Sequence, residues 1–280
     1  MSSVIATSIR AIRQIPPPPE QFGEILHIIG DDQADLMSLV DLIDHCPSVT
    51  ARLLQVANSA FFSQRRTIDN IREAIIRVLG LSLTRSLTLA FFLTDRLNTK
   101  LVPNFDPKRH WYCAIVTAKL AHEMGPTLRP KIDLSGLYTT GLLHNIGLLA
   151  LVQTFPEKMN LLLKQDNVPL SHKTNKLFRV DHYQAGALLV KSWNLPKNIS
   201  DPIALLRNTH YNGKHCQTAQ LIRICAELST IFYERDTASL RNYRAANPVV
   251  HQPFINKAIF SIEEQLPVIE EFSKIVIQQQ

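Results

Sequence analysis

Apolar residues recur along this chain at three- and four-residue intervals, the period of helices with one buried face. Val4, Ile5, Ile9 and Ile12 are roughly in phase and predict a short helix within residues 1–15. The run Pro16-Pro17-Pro18-Pro19 then imposes an extended stretch. Phe22, Ile25, Leu26 and Ile29 repeat the helical spacing, as do Leu36, Leu39, Val40 and Ile43 after Asp31-Asp32. Pro47 suits a first helical turn and Val49, Leu53 and Val56 share one side, so 47–57 reads as another helix. Residues 69–79 are expected to form a helix that stops at Gly80, and 82–93 carries Leu83, Leu87, Ala90 and Phe91 on one face.

Downstream, Asp106-Pro107 offers a cap followed by a first-turn proline, and a long helix is expected from there to about Gly125. Its stripe is Trp111, Ile115, Ala118 and His122. The apolar run 134–152 predicts one continuous helix capped by Asp133, and further helices are expected over 156–164, 181–193, 199–206 and 219–232. Two more are expected around Pro267 within 253–280. No strand pattern or internal repeat emerges, so the fold class is all-α. Composition agrees: nine glycines in 280 residues is about 3%, under half the usual ~7%, too few for many tight turns.

The chain is 45% hydrophobic and carries a formal charge of +6. No apolar run reaches the roughly 18 residues of a membrane span, and residues 1–13 lack an apolar core followed by a small-residue cleavage site. A cytoplasmic protein without membrane association is expected. Cys46, Cys113, Cys216 and Cys225 show no CxxC pair, so reduced and mostly buried thiols are expected in place of a zinc ribbon or disulfides. The pI near 9.2 comes from thinly spread charge, densest at Arg65-Arg66 and from Lys173 to Arg179. With no recognition-helix or stacking pattern beside it, a nucleic-acid partner is not expected.

The segment Gly141-Leu142-Leu143-His144-Asn145-Ile146-Gly147 sets a histidine beside a carboxamide in otherwise apolar surroundings. It resembles the His-Asp pair of the HD metal-phosphohydrolase superfamily, with asparagine in the aspartate's place. The stretch from Ile15-Pro16 to about His210 is similar to the HDOD family, the HD-related output domains of bacterial signalling. The resemblance rests on the proline-rich opening, on Pro47-Ser48-Val49-Thr50-Ala51-Arg52-Leu53-Leu54-Gln55-Val56-Ala57-Asn58-Ser59-Ala60-Phe61-Phe62, and on Ile71 to Leu81. It rests also on the His144-Asn145 run and on Asp181-His182-Tyr183-Gln184-Ala185-Gly186-Ala187 followed by Trp193-Asn194-Leu195-Pro196.

The resemblance implies an HDOD-type helical domain over 16–214: a helical unit over about 16–97 and an HD-like bundle that begins near 105. Residues 1–15 precede it, and 215–280 complete the bundle, to about 235, and extend it. It also locates the superfamily's metal ligands. The first histidine becomes Cys113, His144 is retained, Asn145 replaces the aspartate, and the last carboxylate matches Glu227. Exchanging an anionic oxygen for a neutral amide weakens a hard divalent site.

The expectation is therefore a non-catalytic regulatory module with no catalytic residues, no bound metal and no cofactor. It would act through a protein partner in a signalling pathway or a small-molecule ligand, with a pocket drawn from His144, Asn145, Cys113, His182 and His210. The alternative is a metal-dependent phosphohydrolase acting on a nucleotide or cyclic dinucleotide. A blander reading makes His144 and Asn145 a hydrogen-bonded pair that holds helices together, with Cys113 a buried hydrophobe and Glu227 facing solvent. Asn58-Ser59 would then only end its helix.

Overall fold

A computed structural model describes residues 2–15, 36–59, 62, 66–94, 99–164, 168–246 and 249–277. The tetraproline run, the helix expected from Phe22 to Ile29, and Arg65 lie outside them. Among the described residues the chain is helical, with no strand, and no helix is long and apolar enough to cross a membrane.

Helix α1, Ser2–Arg13, buries Ser8 and Ile12. The hydroxyl of Ser8 donates to the carbonyl of Phe178 at 3.1 Å, and Trp193 Nε1 to that of Ile15 at 3.4 Å, so the amino-terminal helix is fastened to residues far along the chain. Helices α2, Leu36–Asp44, and α3, Pro47–Ala57, are followed by α4, Ile71–Ala74, a π-helical turn over Ile75–Leu79, and α5, Gly80–Thr94. Asn70 caps α4 by accepting from the amide of Glu73, and Gly80 takes φ +72° where the π turn ends. Asn58 does more than end α3. Its Nδ2 donates to the carbonyls of Leu54 and Ile68 while its Oδ1 accepts from the amide of Ile68 at 2.7 Å, clamping the crossing to α4.

Helix α6, Pro107–Met124, is capped by Asp106 as expected and forms the hub of the remaining helices. It packs against α7, Leu137–Leu143, against α13, Cys216–Glu234, and against α15, Gln252–Ile277. Trp111, Ile115 and Ala118 are buried on it, but His122 is exposed, so the apolar stripe is shorter than the spacing suggested. Between the hub helices lie α8, Ile146–Thr154, α9, Pro156–Leu163, α10, Leu170–Phe178, α11, His182–Ser192, and α12, Lys197–Leu205; α14, Thr237–Arg241, precedes α15.

Three sequence expectations are corrected. The apolar run 134–152 is two helices broken at His144-Asn145, and Gly136 at φ +69° precedes the first of them; Asp133 instead accepts from the amide of Ser135. The break follows from packing. Gly141 lies against the backbone of Ala118 on α6 and Gly147 against the backbone of α11, so each half is docked to a different neighbour. Residues 252–277 form a single helix that runs through Pro267, because the Glu263 carbonyl that proline leaves without an amide partner lies on an exposed turn. Finally, the cysteines are free, but only Cys225 is fully buried.

Candidate functional site

The His144-Asn145 break opens onto a cleft of about 940 Å³ between α6, α10, α13 and the loops before α6 and after α12. Cys113, His144, Asn145 and Glu227 all line it, so four positions spread over 115 residues of sequence face one cleft. His182 is buried behind that wall, beside Tyr183, which does line it. His210 is exposed and lies outside the lining residues.

Each wall residue has a definite chemical state. His144 is 6% exposed and its Nδ1 lies 2.7 Å from the carbonyl of Gly141, so that nitrogen carries the hydrogen and donates. Burial, against the carbonyl's opposing pull, lowers its pKa to about 4, and the ring is neutral. Asn145 occupies the position before α8 without capping it, and its Oδ1 is buried with no partner. The expected His144–Asn145 hydrogen bond is therefore not made. The Cys113 thiol donates to the carbonyl of Ser229 at 3.6 Å, and burial pushes its pKa up to about 11. Glu227 is exposed, and the hydroxyl of Tyr243 donates to it at 2.6 Å.

These donors do not fit a divalent metal. Asn145 places a neutral carboxamide with a buried oxygen where an anionic ligand is needed, and the Glu227 carboxylate is engaged by Tyr243, so the charge available to balance the ion is small. Among the described residues no group of three His, Cys, Asp or Glu side chains is placed to hold one.

Sequence reasoning missed His110. It lies one turn before Cys113 on the same face of α6, is 7% exposed, lines the cleft, and has a buried Nδ1 without a partner. Its spacing of three residues from Cys113 was the available signal. Burial, and secondarily the neighbouring His144, lower its pKa to about 3; the same two causes bring His182 to about 3. Also missed were the charged rim residues. Arg207 pairs with the buried Asp181 at 2.7 Å, and Asp181 in turn caps α11 in a reciprocal arrangement with Gln184. Arg109 pairs with Glu234 at 2.7 Å, and Arg223 donates to the carbonyls of Leu205 and Leu206.

Comparison with known proteins settles the family. The HDOD domain matches residues 15–209, well over half of the chain. The chain belongs to the HDOD domain family. Three solved structures share this HDOD fold. A Marinobacter aquaeolei VT8 protein, provisionally described as a signal transduction protein, superposes with a TM-score of 0.80 at 21% identity, over 98% of this chain and 65% of its own. A Shewanella amazonensis SB2B protein, provisionally described as a phosphohydrolase, gives 0.76 at 19% identity over 97% and 98%. A Geobacter sulfurreducens HDOD domain protein of unknown function gives 0.71 at 18% over 97% and 99%. An uncharacterised Treponema pallidum (strain Nichols) protein is 27% identical over 207 residues, 73% of this chain but 39% of that protein's length. This HDOD chain thus spans less than two thirds of those two longer relatives.

Proposed function

We propose that this HDOD chain is a non-catalytic signal-transduction module whose cleft binds a small ligand and whose helical surface passes the bound state to a protein partner. The observation that carries this is the state of the four wall residues. The Cys113 thiol donates to the carbonyl of Ser229, Asn145 puts a neutral carboxamide with a buried oxygen in the aspartate's place, and Glu227 accepts from Tyr243. A hydrolytic site of this ancestry needs a metal to polarise the phosphoryl group and generate hydroxide at neutral pH, and this wall lacks the anionic ligands for it. The fold shared with a protein provisionally described as a signal transduction protein supports the same direction.

The test is turnover of bis-p-nitrophenyl phosphate and of cyclic dinucleotides by the intact protein, alone and with added manganese or zinc. No turnover above buffer is expected. Turnover that is abolished in His144→Ala would replace the proposal by a metal-dependent phosphohydrolase.

A further inference from the structure

The wall at His144-Asn145 carries an acceptor and a donor, adjacent in sequence, that the fold leaves unused. His144 spends its Nδ1 hydrogen on Gly141, so Nε2 is a bare lone pair on a residue that lines the cleft. Asn145, half-buried on the same wall, has its Oδ1 turned inward, and among the described residues its Nδ2 makes no hydrogen bond. Beside them His110, 7% exposed, carries a second unpartnered ring nitrogen, and Phe105 and Tyr183 add flat apolar surface.

The charged groups around this wall are already engaged. Asp106 caps α6 and accepts from the hydroxyl of Tyr233 at 2.7 Å, while Asp181 is held by Arg207 and Glu227 by Tyr243. Arg109 faces Glu234, and Arg223 and Lys173 donate to backbone carbonyls. Arg223 and Lys173 keep their positive charge at the rim, whereas the groups that His144 and Asn145 leave open at the wall itself are neutral.

We propose that this wall recognises an uncharged amide-type group, a carboxamide or the lactam edge of a nitrogen heterocycle, which donates N–H to His144 Nε2 and accepts from Asn145 Nδ2 through its carbonyl. The inference rests on the regulatory reading, since a metal would claim the same Nε2 lone pair. A carboxylate or phosphodiester presents only lone pairs to Nε2 and leaves it without a donor, which is the kind of mismatch that buried polar sites reject most strongly. The cleft is larger than an amide group alone, so the natural ligand carries further atoms toward the rim.

The experiment is a ligand-observed NMR titration of the intact protein at pH 7.5 with two isosteric pairs, nicotinamide against nicotinate and benzamide against benzoate. The expected result is millimolar binding of both amides, with the acids at least tenfold weaker. Asn145→Asp, close in shape, is expected to lower amide affinity at least tenfold while its circular dichroism stays that of the parent. Equal binding of acid and amide, absence of amide binding, or an unaffected Asn145→Asp variant would each overturn amide recognition. None of these touches the regulatory reading, which fails separately if the protein as purified holds a metal and hydrolyses phosphodiesters.

Discussion

Gly147 on α8 and Gly186 on α11 meet backbone to backbone: a β-carbon at Gly147 would overlap the carbonyl oxygen of His182 and the amide nitrogen of Gly186. This contact sets α8 at the distance that leaves His144-Asn145 in the cleft wall. It is asymmetric, since a β-carbon at Gly186 would find its nearest atom 3.2 Å away. Gly147→Ala is therefore expected to destabilise by about 3 kcal/mol or more, because backbone on both sides cannot step aside. Gly186→Ala is expected to stay within about 1 kcal/mol of the parent, its slight crowding offset by better helix propensity. Urea unfolding of the two variants checks this, and equal losses would contradict it.

Asn58 supplies three hydrogen bonds to backbone groups at the α3–α4 crossing. Asn58→Ala leaves those groups to be solvated imperfectly, at an expected cost of about 2 kcal/mol. Thermal unfolding reads it out, and a loss within error of zero would show that the clamp is dispensable.

His110, His144 and His182 impose a pH dependence whose sign follows from their burial. Their folded pKa values, about 3, 4 and 3, lie below the unfolded value near 6.5, so below pH 6.5 the unfolded chain binds more protons than the folded one. The stability they confer is complete above pH 6.5 and drains as pH falls from there through 4 and 3. Each contributes a slope of about 1.4 kcal/mol per pH unit within its window. Urea denaturation is expected to show a loss of about 2 kcal/mol for each ring between pH 7 and 5, about 6 kcal/mol for the three, with a shallower slope in His182→Gln. A flat profile would mean that the rings become protonated without unfolding.

Helix α15 is integral to the core. Ile255, Ile262 and Ile269 are fully buried, Ser261 donates to Glu123 on α6 at 2.9 Å, and Arg235 pairs with Glu270 at 3.0 Å. Ile262→Ala is expected to cost about 3 kcal/mol, whereas Phe260→Ala, at a side chain 62% exposed, should cost well under 1 kcal/mol. Differential scanning calorimetry of the pair separates a core helix from a detachable arm, for which both changes would be silent.

The all-α class, the cap at Asp106 and most helices from residue 36 onward were legible because amphipathic spacing and capping chemistry act locally. The break at His144-Asn145 was not, because it is set by where Gly141 and Gly147 touch α6 and α11, which no single helix period encodes. The same reason hid His110: its value as a wall residue depends on His144, 34 positions later, folding against it. Pro267 misled in the opposite direction, since a proline in mid-helix is tolerated when the orphaned carbonyl is exposed. Of the residues expected in the pocket, Cys113, His144 and Asn145 line the cleft while His182 and His210 do not, and the states of the lining residues were not legible in the sequence. The inward turn of the Asn145 oxygen and the Tyr243–Glu227 bond come from tertiary packing alone.

The most direct test of the account is the metal content per chain of untagged protein purified without chelator, measured by elemental mass spectrometry for the parent and for His144→Ala. The account predicts far less than one equivalent of zinc, iron or manganese in the parent. About one equivalent in the parent, lost in His144→Ala, would contradict it.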